Sequence, residues 1–174
     1  MRKIILSLLF GLFCLSAFAQ KNEKTNLLKW SETQPDTHFV QLEKGKTFYQ
    51  DVNKNGSKTI LFVHGGTIPS WSFDPIFNAL KQNKKLRLIR YDMYGRGLTS
   101  SPKAVYERKF YLKQLEELID HLNITKIDTL IGVSFGASLS TLFTLKHPEK
   151  ISKTLYVSPA VNWLGNHGLS LIHI

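Results

Sequence analysis

The stretch IDTLIGVSFG, residues 127–136, decides the fold, because an apolar run leads directly into a Gly-x-Ser-x-Gly pattern. A run with helical character, 137–146, follows it. A strand that passes at once into a helix needs a sharp turn, and Gly132 and Gly136 avoid the clashes that a Cβ would make there. The pattern therefore predicts that the side chain of Ser134 stands above the edge of a sheet.

Strand-like and helix-like runs alternate along the rest of the chain. The strand-like runs are 38–42, 47–52, 59–63, 86–91, 127–133 and 153–157, and apolar residues recur at helical spacing over 73–80, 111–122 and 139–145. Lys44-Gly45-Lys46 predicts a hairpin between the first two runs. The alternation predicts an α/β fold, with a largely parallel sheet covered by helices on both faces.

Right-handed crossovers place the loops that follow parallel strands at one edge of the sheet. Four segments are expected there: His64-Gly65-Gly66, Asp92-Met93-Tyr94-Gly95-Arg96-Gly97, the turn at Ser134, and Ser158-Pro159. Active sites of open α/β sheets lie at this edge. We therefore search these segments for catalytic groups.

Ser134 is the candidate nucleophile. A serine hydroxyl reacts slowly at neutral pH unless a base takes its proton, a second group orients the base, and donors hold the oxyanion that forms. We predict that the backbone N–H groups of Phe135 and Gly66 are those donors. Phe135 follows the serine directly, and a glycine at position 66 lets a substrate approach the backbone closely.

Three motifs in this order resemble the α/β-hydrolase superfamily over roughly residues 38–163. They are His64-Gly65-Gly66, the Asp92-x-x-Gly-x-Gly segment that ends at Thr99-Ser100, and Gly132-Val133-Ser134-Phe135-Gly136. The resemblance implies an α/β-hydrolase fold and hydrolysis of an ester, thioester, amide or related acyl bond in a small-molecule substrate. It implies no metal and no organic cofactor. It also implies that the first motif contributes to the oxyanion hole and that the second is mainly a structural turn.

The acid and the base of the catalytic triad are not identified in this chain. In the family they follow the serine, with the acid first and the histidine last. After Ser134 the sequence offers only Glu149 as a carboxylate, and His147, His167 and His173 as histidines. None of them stands where the family's acid or base is expected. The chain as given is therefore expected to turn over substrate negligibly.

Several other residues near the predicted edge are expected to have structural roles. His64 is expected to brace a loop, and Asp92 to hold a turn. Arg96 is expected to contact protein or solvent, because no phosphate-binding fingerprint accompanies it. The aromatic residues Trp71, Phe73 and Tyr94 fit either a pocket wall or the core. His147, at a helix end, is expected at the surface.

The N-terminal residues 1–19 are predicted to be a signal peptide. Arg2 and Lys3 precede the apolar run 4–18, and Ala17-Phe18-Ala19 forms a small-x-small cleavage site. A polar segment, 20–36, follows. We expect export to the periplasm or the extracellular space without stable membrane insertion, since the apolar run is short for a membrane span. Cys14, the only cysteine, lies in the predicted signal peptide, so no disulfide is expected.

The last six residues, 169–174, read LSLIHI, which matches the translation of a transposon-end adapter used in sequencing libraries. We interpret them as a non-native tail and exclude His173 from the search for a base. Residues 37–168 are then a partial α/β-hydrolase domain, and the natural protein is expected to continue past about Gly168. A sheet that stops after the strand-like run 153–157 is expected to be poorly stable, because that strand then forms an unpaired edge with uncovered apolar surface.

The net charge of +10 is spread along the chain, with one small cluster at Lys81, Lys84, Lys85 and Arg87. No aromatic residues are interleaved with it, and we interpret it as a solvated surface rather than a nucleic-acid site. Two alternatives to the acyl hydrolase remain open. One is a cofactor-free haloperoxidase or C–C bond hydrolase on the same scaffold, and the other is a non-catalytic, hydrolase-like binding protein.

Overall fold

The computed structural model describes residues 25, 26, 28–34 and 36–160. The predicted signal peptide, His167 and the tail 169–174 lie outside these residues. The chain divides into two units, 1–35 and 36–174, and residues 28–32 of the first are helical. The second contains β1 (Thr37–Leu42), β2 (Gly45–Val52), β3 (Lys58–Val63), α1 (Asp74–Leu80), β4 (Leu86–Tyr91), α2 (Arg108–His121), β5 (Thr129–Val133), α3 (Phe135–Lys146) and β6 (Thr154–Val157).

The strands form one sheet in the order β1-β2-β4-β3-β5-β6. The predicted hairpin joins β1 and β2, and β2 also runs antiparallel to β4. The remaining pairs are parallel, with Leu61 of β3 opposite Ile89 of β4 and Leu130 of β5. The prediction of a largely parallel sheet is confirmed, and the order is that of an α/β-hydrolase fold.

Helices cover both faces of the sheet, as the alternation predicts. Side chains alternate along each central strand, so that Leu61 packs with the residues of α2 and α3 while Phe62 packs with those of α1. The ring of Phe62 lies 5.6 Å from that of Phe77 in α1. Ile76 does not join this core, since it is 47% exposed, although its spacing suggested that it would.

Most elements begin one or two residues away from the predicted boundary, and two of the differences, at β5 and α2, have a structural interest of their own. Strand β5 begins at Thr129 rather than at residue 127, because the side chain of Asp128 turns back to accept a hydrogen bond from the N–H of Thr59 at 2.8 Å. Ile127 forms only an isolated bridge to Ile151. Helix α2 begins at Arg108, before the apolar periodicity starts.

Strand β6 lies at one end of the sheet order. Within the described residues it pairs with β5 alone. Its side chains at Leu155, Tyr156 and Val157 are 41–46% exposed, which is high for apolar residues in a strand. Within the described part of the chain, no helix has the length and apolar character needed to cross a bilayer.

Candidate active site

Ser134 stands at the junction between β5 and α3 in a backbone conformation that serine rarely adopts. Its φ is 52° and its ψ is −115°. Its N–H donates to the carbonyl of Val157 at 3.0 Å, and its carbonyl accepts from the N–H of Ala137 at 3.1 Å. Such a conformation costs about 1–3 kcal/mol and persists because the surroundings hold it. The sharp turn predicted from the sequence is therefore present.

The two flanking glycines are required by close contacts. A Cβ on Gly136 would lie 2.2 Å from the carbonyl oxygen of Val63 and 2.4 Å from that of His64. A Cβ on Gly132 would lie 2.6 Å from the Cα of Ala137. All three distances to backbone atoms are too short for any side chain, so the turn can form only with glycine at these positions.

The loop after β3 lies directly against the serine. A Cβ built on Gly65 would lie 3.6 Å from the Cβ of Ser134, and one built on Gly66 would lie 3.6 Å from the Cβ of Phe135. Phe135 is the first residue of α3, where the helix dipole favours negative charge. The structure thus brings Gly66 and Phe135 together beside Ser134, and their role as oxyanion donors remains a prediction.

His64 holds this loop in place through hydrogen bonds to two backbone groups. Its ring is fully buried, and its Nε2 accepts a hydrogen bond from the N–H of Met93 at 2.9 Å. The proton therefore resides on Nδ1, which donates to the carbonyl of Gly65 at 2.6 Å. Because a trans peptide directs its C=O and N–H in opposite directions, this bond points the N–H of Gly66 away from His64.

The charge state of His64 fits this bracing role. Burial lowers the pKa of His64, and the neighbouring Asp92 opposes that effect without reversing it. The imidazole is neutral at neutral pH and uses both nitrogens in hydrogen bonds to backbone groups. It cannot also take a proton from Ser134, so the structural role expected for it holds.

Asp92 holds the loop after β4, as expected. Its two carboxylate oxygens accept hydrogen bonds from the N–H groups of Ser70 at 2.8 Å and Leu98 at 2.9 Å. Its carbonyl accepts from the hydroxyl of Thr99 at 2.7 Å. Gly97 has a φ of 50°, and a Cβ there would collide with the carboxylate. All of these bonds stabilise the turn, which leaves Asp92 without a catalytic position.

Arg96 contacts the predicted oxyanion loop, a contact that the sequence alone did not indicate. Its Nε donates to the carbonyl of Gly66, and its Nη1 donates to the carbonyl of Gly95 at 3.0 Å. The carbonyl of Gly66 is therefore held by a cation from the neighbouring loop. No sequence signal marks this contact beyond the position of Arg96 between two glycines.

Gln114 is a second residue that the sequence analysis missed. Its side chain, from α2, accepts from the N–H of Tyr94 at 2.9 Å and donates to the carbonyl of Asp92 at 3.1 Å. It also donates to the hydroxyl of Thr47 at 3.0 Å. A signal was available, because Gln114 is a polar residue on the apolar face of a helix, one position before Leu115.

The aromatic residues of the sequence analysis separate into core and surface. Phe73 and Tyr94 are buried in the core, whereas Trp71 is 41% exposed. Tyr111 of α2, which was predicted only as a core residue, packs edge-on against Phe135 with 5.3 Å between the ring centroids. Burial raises the pKa of its phenol, which therefore stays protonated beside the predicted oxyanion site.

Neither Glu149 nor His147 can complete a triad with Ser134. Both follow α3, whereas Ser134 precedes it, and a helix of 12 residues is about 18 Å long. His147 is half-buried rather than fully at the surface, because its Nε2 lies 2.7 Å from a carboxylate oxygen of Glu116. The described residues also contain no cluster of metal ligands. The described residues thus carry the candidate nucleophile Ser134 and the loop of the predicted oxyanion donor Gly66.

Comparison with known proteins agrees with this geometry. The profile of the family described as "alpha/beta hydrolase fold" matches residues 58–168, which is more than half of the chain. The chain belongs to the α/β-hydrolase family.

Two relatives and one solved structure illustrate the similarity. A proline iminopeptidase of Lactobacillus helveticus is 30% identical over 118 residues, which cover 65% of this chain and 40% of the relative. A carboxylesterase of Bacillus subtilis is 25% identical over 133 residues, covering 76% of this chain and 44% of the relative. A carboxylesterase structure from Nitrososphaera gargenis shares the fold, with a TM-score of 0.65, 24% identity, and coverage of 70% of this chain and 45% of that one.

These alignments also show what share of the relatives' length the chain covers. The chain spans about 40% of the length of the iminopeptidases that it matches. The matched part of the described structure holds the loop after β3, the turn after β4 and the serine junction, which lie together at one sheet edge. The activity and the substrate of the whole protein therefore belong to the proposal that follows.

Proposed function

We propose that the whole protein is an exported serine hydrolase that cleaves an ester, thioester, amide or related acyl bond through Ser134. The observation that carries the proposal is the strained backbone of Ser134, held between the loop at Gly65 and the start of α3. Strain of this kind collects at functional sites. The peptidase and esterase relatives act on acyl bonds by name, which supports the same class of substrate.

In the proposed mechanism, the Oγ of Ser134 attacks the carbonyl carbon of the substrate while a base accepts its proton. The N–H groups of Gly66 and Phe135 hold the oxyanion that forms, and a donor of this kind typically contributes about 10²–10³ in turnover. Collapse of the intermediate expels the protonated leaving group, and water then hydrolyses the acyl-enzyme. The acid and the base would come from outside the described residues.

A fluorophosphonate probe tests the nucleophile in the whole protein, encoded with its natural continuation. We expect covalent labelling at Ser134 and no labelling of Ser134→Ala. Ser158→Ala is the matched control, because Ser158 is an exposed serine with a positive φ at the same edge of the sheet. Equal labelling of the wild type and Ser134→Ala would show that the nucleophile is another residue.

Export is tested separately, by the N-terminal sequence of protein recovered from the periplasm or the medium. We expect the mature chain to begin at Gln20, after Ala17-Phe18-Ala19. Ala19→Arg removes the small residue that a signal peptidase requires and should leave the precursor uncleaved. Recovery of an intact N-terminus from the cytoplasm in the wild type would contradict the proposal.

A further inference from the structure

The edge of the sheet opposite Ser134 is organised around Asn53, in the turn between β2 and β3. Asn53 has a φ of 55°, and its side-chain amide donates to the carbonyls of Lys81 at 3.0 Å and Leu86 at 3.1 Å. The N–H of Lys58 donates to the carbonyl of Lys85 at 3.1 Å. The turn between β2 and β3 and the turn between α1 and β4 are therefore bound together, although about 30 residues separate them.

This contact gathers five lysines, which we call the basic edge: Lys54, Lys58, Lys81, Lys84 and Lys85. Four are exposed and Lys81 is half-buried. The segments that carry them, 53–58 and 81–86, contain no carboxylate residue. Among the described residues none of the five forms an ion pair, and Lys84 reaches only the amide oxygen of Asn53 at 3.3 Å. The cluster therefore presents uncompensated positive charge.

Three carboxylate residues lie at or next to this edge, namely Asp36, which precedes β1 and accepts the N–H of Asp51 on its carbonyl, and the residues Asp51 and Asp128. Asp51 is buried and holds Arg87 with two hydrogen bonds of 2.9 Å and 2.8 Å, so Arg87 is removed from the cluster in which the sequence had placed it. Asp128 accepts the N–H of Thr59. Among the described residues none of the three carboxylates forms an ion pair with the five lysines, and because Asp51 is neutralised by Arg87, only Asp36 and Asp128 oppose the charge of the lysines, which leaves the edge with a net positive charge.

Two further lysines, Lys126 and Lys153, continue the positive charge of the basic edge along the same edge of the sheet. Strands β4, β3, β5 and β6 are parallel neighbours, so the residues that precede or begin them lie along one edge in that order. These residues are Lys85, Lys58, Lys126 and Lys153, and all four are exposed. Three interstrand spacings make this row about 14 Å long. Lys126 donates to the carbonyl of Glu149 at 3.1 Å, and the exposed carboxylate of Asp120, 3.5 Å from Lys150, lies at the same edge near the start of β5.

We propose that the basic edge docks the protein on an anionic phospholipid membrane. Clusters of four to eight lysines or arginines are the usual protein partner of anionic headgroups, and each strengthens binding by roughly fivefold within a Debye length of the surface. The five lysines lie in or next to short turns at one edge, with Lys58 at the start of β3 and Lys81 at the end of α1, so they can approach a flat surface together. This inference does not depend on the activity proposed for Ser134.

The chemistry of the edge favours a membrane over a nucleic acid. Binding of single strands relies on aromatic side chains that stack on bases and on arginine. Segments 53–58 and 81–86 contain neither an aromatic residue nor an arginine. Lysine provides a hydrated point charge that suits phosphate headgroups without sequence preference.

Docking in this orientation directs the candidate active site toward the solvent. Strand β3 runs from Lys58, at the basic edge, to Val63, which precedes the predicted oxyanion loop. Six residues of strand span about 20 Å. A hydrolase held in this way would take substrate from the aqueous phase rather than from the bilayer.

Vesicle co-sedimentation of the full chain tests the proposal. We expect binding to phosphatidylcholine vesicles that contain phosphatidylglycerol, weaker binding to pure phosphatidylcholine, and loss of the difference at high salt. Lys84→Glu/Lys85→Glu should weaken the phosphatidylglycerol-dependent binding about 25-fold or more. Lys58→Gln/Lys85→Gln, a milder change, should give a smaller loss and guards against misfolding of the first variant, which circular dichroism would report.

The matched control is Lys103→Glu/Lys109→Glu, which changes the net charge by the same amount on exposed lysines outside the basic edge. Its binding should fall less than about threefold, because these lysines lie beyond a Debye length from the docked surface. Equal losses in the two double variants would overturn the proposal. Tighter binding of a single-stranded oligonucleotide than of the vesicles would also overturn it in favour of a nucleic-acid partner.

Discussion

At Ser134 the chain maintains a backbone conformation that works against its own stability. The hydrogen bonds from Ser134 to Val157 and from Ala137 to Ser134 hold the turn from both sides. Because Gly132 and Gly136 carry no Cβ, neighbouring backbone can approach the turn closely at both positions. Within the described residues no hydrogen bond engages the side-chain hydroxyl of Ser134, the nucleophile of the proposed mechanism.

Replacing Ser134 by glycine should therefore stabilise the protein while removing the proposed nucleophile. Glycine adopts positive φ without a Cβ penalty, so we expect the free energy of unfolding to rise by about 1 kcal/mol and Tm by a few degrees. Ser134→Ala keeps the Cβ and should melt close to the wild type. Thermal melts followed by circular dichroism measure both variants, and a Tm for Ser134→Gly below that of Ser134→Ala would contradict the strain argument.

Individual site residues differ in how far the sequence predicts them. Ser134, Gly66 and Phe135 follow from local motifs, and the structure brings them into contact. Arg96 was expected to contact protein or solvent, but its contact with Gly66 was not predicted, and Gln114 was not predicted at all, because their partners, at Gly66 and Asp92, are 30 and 22 positions away along the chain. Such contacts depend on how loops meet at the sheet edge, which periodicity does not encode.

At the scale of elements, the site depends on how closely α3 approaches the end of β3. The first turn of α3 lies against the carbonyls of Val63 and His64 at Gly136, and against the following loop at Phe135. The same approach places the serine beside the predicted oxyanion donors. The packing of one helix end against one loop thus stabilises this edge and positions the predicted oxyanion donors.

Two glycine substitutions separate these contributions. Gly136→Ala would force a Cβ to within 2.2 Å of the carbonyl oxygen of Val63, and we expect a loss of about 3 kcal/mol in unfolding free energy. Gly66→Ala places its Cβ 3.6 Å from Phe135, an ordinary contact, and should cost less than about 1 kcal/mol. Urea denaturation compares the two variants, and equal losses would show that the approach of α3 is looser than described.

The elements themselves were predicted well because their signals are local. Each strand shows an apolar run or a period of two, and α2 and α3 show helical spacing. The boundaries failed where a contact with another element intervenes, as the hydrogen bond from Thr59 of β3 to Asp128 does at the start of β5. Phe110, in the first turn of α2, packs against Tyr94 at 5.0 Å, a contact with another loop that the apolar periodicity did not include.

At the scale of the whole molecule, the two ends of the sheet differ. The sheet begins with the tight hairpin of β1 and β2, and it ends, within the described residues, at β6. Strand β6 combines exposed apolar side chains with a backbone that is paired on one side. An edge with these properties is a template for pairing with another chain.

We therefore expect this chain to self-associate through β6 in a concentration-dependent manner. Tyr156→Lys places a charge on the strand and should increase the monomer fraction several-fold, as edge lysines do in natural sheets. Val105→Lys is the control, because Val105 is 80% exposed and lies in a loop. Sedimentation velocity measures the monomer fraction. A wild type that stays monomeric at every concentration, or equal effects of both variants, would contradict this expectation.

The order of the strands also affects the rate at which the sheet can fold. Strand β3 pairs with β5, and the bond between Thr59 and Asp128 closes a loop of 69 positions, so the centre of the sheet cannot form until most of the chain is available. Folding that waits for distant partners is slow. Under the proposed export, this delay has a use: a polypeptide that is still unfolded can be threaded through a translocation channel, whereas a finished sheet would block it.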